Sequence, residues 1–343
     1  MNIVVLGGGI STERDVSLTS SRNIVKALRS VGENAVLLDV FMGYDGDPEE
    51  FFSKNEEVTS ESLIGLVDPS IDEIKKARGI SEDEFFGKNV LKICKKADFV
   101  FLGLHGEDGE DGKVQATFDL LGIKYTGSGC LASALAMNKY FSKQVMVANG
   151  IITADYTVMK CGGTAAPKYT KPCVIKPCSG GSSVGVSIVT NEAEYAAAVK
   201  KAFKYEDEII IEEYIKGREF SVGVLGDKVL PPIEIIPKDG FYDYENKYQA
   251  GKTLEVCPAE LSNEQTKLLQ LYTKRVFDAL GLEVYGRADF ILNEADGDFY
   301  CLEVNSLPGM TQMSLLPQEA AAIGIEYPEL CKKIIEISNN KYC

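Results

Sequence analysis

A chain of 343 residues, 45% hydrophobic and 25% charged, is long enough for two or three domains and has an ordinary soluble composition. Its net charge of -15 argues against nucleic acid or anionic membrane as partner, because phosphate backbones need clustered Lys and Arg. His105 is the sole histidine, which excludes a His-rich metal site, and nine Cys without a C-x-x-C pair fit reduced core thiols better than a disulfide framework.

The opening NIVVLGGG reads as a short apolar strand running into glycines. STERDVSLTSSRNIVKALRSVG then reads as a helix ending at Gly32, and NAVLLDV as a second strand, so the start is β-α-β and implies a parallel sheet. It has neither the basic region nor the cleavage site of a signal peptide, and no apolar run approaches membrane-span length, so a cytoplasmic location is expected. Gly7, Gly8 and Gly9 invite a dinucleotide-site reading, but Thr12 stands where the third glycine of that fingerprint is required, and a tight turn explains them equally. Residues 43 to 88 are polar and acidic and read as an insertion between strands. ADFVFLGL delivers HGEDGEDG (105 to 112), a glycine-rich loop at a strand's C-terminal end, where open α/β sheets bind ligands.

GSGCLASALAMNKYFSKQVMVANG predicts one helical segment ending at Gly150. The strand CVIK runs into CSGGSSVG, whose Gly180 and Gly185 have the outer spacing of a P-loop. Val186 stands where that loop needs Lys, which leaves a Gly/Ser-rich loop whose amides and hydroxyls suit phosphates. A helix is expected over roughly 192 to 203, then EIIIEEYIKG, which is either an edge strand with solvated acids or a hinge lining a nucleotide pocket. KDGFYDYENKYQAGKT (238 to 253) sets four aromatic rings among charges and glycines and suits a loop that covers a substrate, and a helix follows over 263 to 280.

In DFILNEADGDFYCLEVN (289 to 305), Asp296 and Gly297 between two apolar runs predict a hairpin. A turn centred on Asp296 sets Asp289 opposite Glu303 and Arg287 opposite Asn305 on one sheet face. Facing carboxylates destabilise a sheet unless a cation lies between them, and Mg²⁺ takes one or two carboxylates plus substrate phosphates. A register slipped by one residue would separate the acids on a solvated face instead.

Taken in order, GGISTERDVS (8 to 17), HGEDGEDG, YTGSG (125 to 129), MNK (137 to 139), VIKPCSGGSSVG (174 to 185), IEEYIKGREF (211 to 220), FYDYENKY (241 to 248), GRADF (286 to 290) and LEVNSLPGMT (302 to 311) resemble the ATP-grasp enzymes, and more closely the D-alanine:D-alanine ligase family. The resemblance covers nearly the whole chain. It implies an α/β ATP-grasp fold of three domains: an N-terminal parallel α/β domain (1 to 127), and central (128 to 215) and C-terminal (216 to 343) α+β domains that clamp ATP. It also implies ATP-dependent joining of two D-alanines through an acyl phosphate for peptidoglycan synthesis, with two Mg²⁺ or Mn²⁺ ions, in a homodimer.

Roles follow from the resemblance residue by residue. Lys139 and Lys176 would hold the α and β phosphates and Lys247 the γ-phosphate end. Glu212 and Glu219 would take the adenine amino group and the ribose hydroxyls, with the backbone of Tyr214 and Ile215 beside the base. Asp289, Glu303 and Asn305 would coordinate the metal ions. Glu13, Ser182 and Tyr248 would surround the first D-alanine with His105 nearby, Arg287 and the Gly309 amide would face the developing oxyanion, and Ser314 and Leu315 would receive the second substrate's carboxylate. Met313 departs from the His common in the family, whereas Tyr248 stands where D-lactate-using members usually carry His and so favours D-alanine. The alternative is another acceptor, D-serine or D-lactate, or an L-amino-acid ligase.

Overall fold

The structure is a computed structural model that describes residues 1–53, 71–78, 84–163, 167–181, 183–238 and 253–342. Ser182, Lys247, Tyr248 and most of the aromatic-rich stretch therefore lie outside the described residues.

Strands β1 (Asn2–Gly7), β2 (Asn34–Asp39) and β3 (Phe99–Leu102) form a parallel sheet in the order β2-β1-β3. Ile3, Val4, Val5 and Leu6 are all fully buried, as a strand covered on both faces requires, and this explains their unbroken apolar run. Helix α1 (Arg14–Ser30) makes the crossover and turns a stripe of Val16, Ser20, Ile24, Ala27 and Leu28 inward at helical spacing. The glycines at the first strand-to-helix turn serve geometry: Gly8 has φ +80, and a Cβ there would lie 2.6 Å from the Asp39 carboxylate, which Arg14 also holds. Short helices α2 (Ile71–Arg78), α3 (Val90–Lys96) and α4 (Lys113–Leu121) complete this layer.

The single helix expected after residue 127 is two, α5 (Cys130–Met137) and α6 (Lys139–Ala148). Asn138 breaks them: its backbone is extended and its side chain accepts from the amides of Tyr140 and Phe141, the capping role that asparagine fills better than a helix interior. The break puts Lys139 at the first position of α6.

A four-stranded antiparallel sheet follows, built from β4 (Tyr156–Lys160), β5 (Cys173–Pro177), β6 (Ser187–Val189) and β7 (Glu208–Glu213), with α7 (Glu192–Ala202) packed against it. Its order is β4-β7-β5-β6, so β7 is an inner strand and the edge-strand expectation for IIIEE is overturned. Glu212 is accordingly 2% exposed instead of solvated.

The third sheet runs β11-β10-β8-β12-β13 and comprises β8 (Gly217–Leu225), β9 (Lys228–Val229, paired to β8), β10 (Ile233–Pro237), β11 (Thr253–Val256), β12 (Tyr285–Asn293) and β13 (Phe299–Asn305). Helix α8 (Asn263–Leu280) covers it and starts at a reciprocal Ser262–Gln265 capping box. Helices α9 (Leu315–Ala321) and α10 (Tyr327–Asn339) return to the first sheet, so Leu316, Leu330 and Ile334 share one core with Ile3 and Phe101. Conversely Ala136 and Met146, on α5 and α6, share a core with Phe290 and Phe299 of the third sheet. The hydrophobic clusters thus cross the order of the chain and lock the sheets around the space between them. Eight described cysteines are free thiols, and five of them are buried.

Candidate active site

The hairpin places the acids as expected, by a route the sequence did not suggest. Near its turn the pairing is Leu292 with Phe299 and Phe290 with Cys301, one residue off the symmetric register. The loop is longer than the Asp-Gly turn predicted: the Asn293 amide donates to Asp298 O (2.9 Å) and the Gly297 amide to Asn293 O (3.0 Å). A bulge at Leu302 then resets the ladder, and Asp289 pairs with Glu303 and Arg287 with Asn305. Without that extra residue Glu303 would move to the opposite face. With it, Leu302 and Glu303, neighbours in sequence, both line one cavity.

That cavity, about 380 Å³, lies between the second and third sheets. It is lined by Lys139, Lys176, Glu212, Tyr214, Ile215, Glu219, Asp289 and Glu303, every described residue expected at the nucleotide and two of the three expected at the metal. Val174, Ile188 and Ile291 give it apolar lining beside the two lysines. Lys176 Nζ lies 3.1 Å from Glu212 Oε1, and although burial opposes the ammonium form, Glu212 and Glu303 outweigh it and raise the pKa. Glu212 Oε1 is wholly buried and is met by two ammonium groups, Lys176 at 3.1 Å and Lys143 at 3.4 Å. The bidentate pair of Arg218 with Glu234 (2.7 and 2.6 Å) closes the far wall.

Asp289 accepts from Ser221 Oγ (2.7 Å), from Arg287 Nε and Nη2 (2.9 and 2.8 Å) and from Asn305 Nδ2 (3.1 Å). Because Asn305 donates through its nitrogen, its Oδ1 is left as the ligating atom. Two carboxylates and one amide oxygen are hard donors of the kind Mg²⁺ takes, so the residues fit that ion.

A second cavity of about 350 Å³ is lined by Glu13, His105, Arg287, Asn305, Gly309, Ser314 and Leu315, the remaining described candidates. The two cavities share Lys139, Gly180, Gly181 and Glu303. Lys139 joins the loops at this border, donating to Gly180 O (2.6 Å) and lying 3.4 Å from Glu303 Oε2. The Glu13 carboxylate is wedged against both glycine-rich loops; a Cβ on Gly181 would lie 2.3 Å from its Oε2.

His105 is 5% exposed and uses both ring nitrogens internally. Nδ1 meets Leu307 O at 3.0 Å, so it must carry the proton, and Nε2 then accepts from Ser20 Oγ at 3.2 Å. Burial lowers its pKa and keeps this neutral tautomer. Glu110, which the sequence reading passed over, holds the other side of the same residue: it accepts the Leu307 amide (3.2 Å) and the Gly106 amide (2.8 Å). Burial first, and then Glu13, push its carboxyl up to about 8. Ser20 Oγ also accepts the Met310 amide (3.4 Å), and Tyr327 OH donates to Met310 O (2.5 Å). The loop carrying Gly309 is therefore gripped at both ends. Lys143 was missed too, although it sits four residues after Lys139, the spacing that brings helical side chains together.

Residues 2–128 match the family model described as D-ala D-ala ligase N-terminus, and residues 145–336 the one described as D-ala D-ala ligase C-terminus. The chain is 48% identical over 341 residues to a D-alanine–D-alanine ligase of Pediococcus pentosaceus, covering 98% of this chain and 97% of that one. It is 43% identical over 348 residues to one from Lacticaseibacillus casei, covering 99% and 96%. Among solved structures, D-alanine–D-alanine ligase from Bacillus anthracis complexed with ATP is similar with a TM-score of 0.75 at 31% identity, covering 99% of this chain and 98% of that one.

Proposed function

The chain belongs to the D-alanine–D-alanine ligase family, and from that premise we propose that it joins two D-alanines in an ATP-dependent reaction that supplies peptidoglycan synthesis. The observation that carries this reading is the border between the cavities: one combines apolar Val174, Ile188 and Ile291 with Lys139 and Lys176, the other gathers Glu13, His105, Arg287 and Ser314, and they meet at Lys139, Gly180, Gly181 and Glu303.

A carboxylate is a poor electrophile, so the first D-alanine takes the γ-phosphoryl group of ATP, giving an acyl phosphate and ADP. The amine of the second D-alanine then attacks the acyl carbon and phosphate leaves. Two anions have to approach each other in the first step, and Lys139 and Lys176 offset their repulsion in the nucleotide cavity; Lys247 is assigned the γ-phosphate end. Glu212, Glu219 and the backbone of Tyr214 and Ile215 hold the nucleoside. Asp289, Glu303 and Asn305 would hold Mg²⁺, which when bound supplies positive charge at the transferring phosphoryl group. Arg287 and the Gly309 amide face the tetrahedral oxygen, where one donor is worth about 2.7 to 4 kcal/mol in known cases. Glu13, with Ser182 and Tyr248, orients the first D-alanine, and Ser314 and Leu315 take the carboxylate of the second.

Phosphate release with ATP across a panel of D- and L-amino acids tests the reading. Turnover with D-alanine alone is expected; turnover with L-residues but not D-alanine rejects it. No described helix is long and apolar enough to cross a membrane, which agrees with the cytoplasmic location proposed here. We infer a homodimer as well, as the family resemblance implies. Sedimentation at the mass of one chain rejects that inference.

A further inference from the structure

Lys143 has no part in the reaction as derived, yet its side chain is 1% exposed and lies directly behind the nucleotide cavity. Burying a lysine head this completely is costly unless partners meet it. Its Nζ lies 3.4 Å from Glu212 Oε1 and donates to Thr153 Oγ1, whose hydroxyl donates to Cys301 O at 2.7 Å. The chain of donors therefore runs from α6 through the segment before β4 to β13, and Glu212 lies beside it.

Two lysines thus converge on one oxygen of Glu212, and they are not equivalent. Lys176, 3.1 Å away, lines the cavity and is the residue assigned to the phosphates. Lys143 does not line the cavity, and its other partner is protein. Lys176 carries one positive charge on three N–H donors, and the share of that charge a triphosphate draws no longer offsets the buried carboxylate of Glu212, which then depends more on its second partner. A buried carboxylate stripped of its partner is strongly destabilised and free to shift. Burial lowers the Lys143 pKa against the pull of Glu212, whereas in Lys176 the acids prevail, which marks the second lysine as the one committed to anions.

We propose that Lys143 is a positioning residue: it is the standing partner of Glu212 and holds that carboxylate against the base while Lys176 serves the phosphates. The proposal rests on the assignment of Glu212 to the adenine amino group. It makes nucleotide selection depend on a side chain that never touches the nucleotide.

The test compares ATP with purine riboside 5′-triphosphate, which lacks the amino group, as substrates of the full-length enzyme. Lys143→Met is expected to raise KM for ATP about tenfold, the loss of one charge-assisted contact, with kcat within about twofold and KM for the purine analogue unchanged. Glu212→Gln is the control and should also lose preference for ATP, and the double variant should lose no more than Glu212→Gln alone. If Lys143→Met raises KM for both nucleotides alike, the role is structural and the proposal is overturned. If Glu212→Gln leaves the preference intact, the assignment of Glu212 itself fails and the proposal with it. Lys143→Gln retains a donor for Thr153 and serves as the second variant should the Met side chain prevent folding.

Discussion

The two cavities meet at one border, but their walls are held by opposite means. Around the nucleotide cavity charge does the holding: Lys139 against Glu303, Lys176 and Lys143 against Glu212, Arg218 against Glu234. Around the amino-acid cavity the wall is backbone, the Leu307–Met310 loop, gripped by the hydroxyls of Ser20 and Tyr327 and by His105 and Glu110, whose pKa values burial shifts toward their neutral forms. The difference follows what each wall must do. A triphosphate brings several negative charges, so cations must be stored beside acids that release them on arrival. On the proposed reading the Gly309 amide must be held in place to meet a developing oxyanion, and the buried hydrogen bonds to Leu307 and Met310 on either side of it do that.

Substitutions at four positions break or sharpen this contrast. The largest effect is expected at the charged border. Glu303→Gln removes the carboxylate partner of Lys139, which is also a proposed metal ligand, and should lower kcat by more than about a hundredfold, since even supporting groups of a metal site commonly cost ten- to a hundredfold. Steady-state rates check it, and a near-normal kcat would remove Glu303 from the metal set.

On the neutral side, Glu110→Ala strands the amides of Leu307 and Gly106 and should cost about 1 to 3 kcal/mol of stability in denaturant titration. The pH dependence has a definite sign. Folded Glu110 binds its proton more tightly than the unfolded chain does, so its contribution is complete below the ordinary value of 4.5 and is lost as pH rises through about 8. Melting temperature should decline across that window, and Glu110→Gln should flatten the decline; an unaltered slope would show that Glu110 is ionised in the fold.

Gly181→Ala is a smaller perturbation at the border. The new methyl must displace the Glu13 carboxylate, and KM for D-alanine should rise a few-fold, about the cost of one weakened hydrogen bond, with KM for ATP little changed. Equal changes in both constants would mean that the loop itself has moved. The smallest effect belongs to Met313, which lines the amino-acid cavity but is 77% exposed. Met313→His, the residue the family resemblance implies here, should change kcat/KM for the proposed second D-alanine by less than about twofold, as exposed sites commonly behave. A larger change would make this position a determinant of the acceptor.

Much of the site was legible along the chain, though not always for the right reason. The pairing of Asp289 with Glu303 followed from a turn centred on Asp296, yet the true loop is off by one and the bulge at Leu302 restores the pair. Two departures cancelled, and nothing in the composition of DFYCLEVN announces the extra residue. Asn138 carried a readable signal, a capping residue amid a helical run, which the single-helix expectation overrode. Glu110 was lost among four acids of one loop, because a string of Glu and Asp looks solvated until the fold buries one of them.

Short-range chemistry was enough to determine the β-α-β opening, the order of the strands and helices, the glycine-rich loops and the residue types that handle a phosphate, because apolar period, capping and turn preference act over a few positions. Which strand lay inside its sheet, which lysine stood behind Glu212 and which loop His105 would grip across 202 residues were decided only when the three sheets packed together. Burial sets the worth of a charge or a hydrogen bond, and burial is a property of the assembled core, which no local stretch of sequence contains.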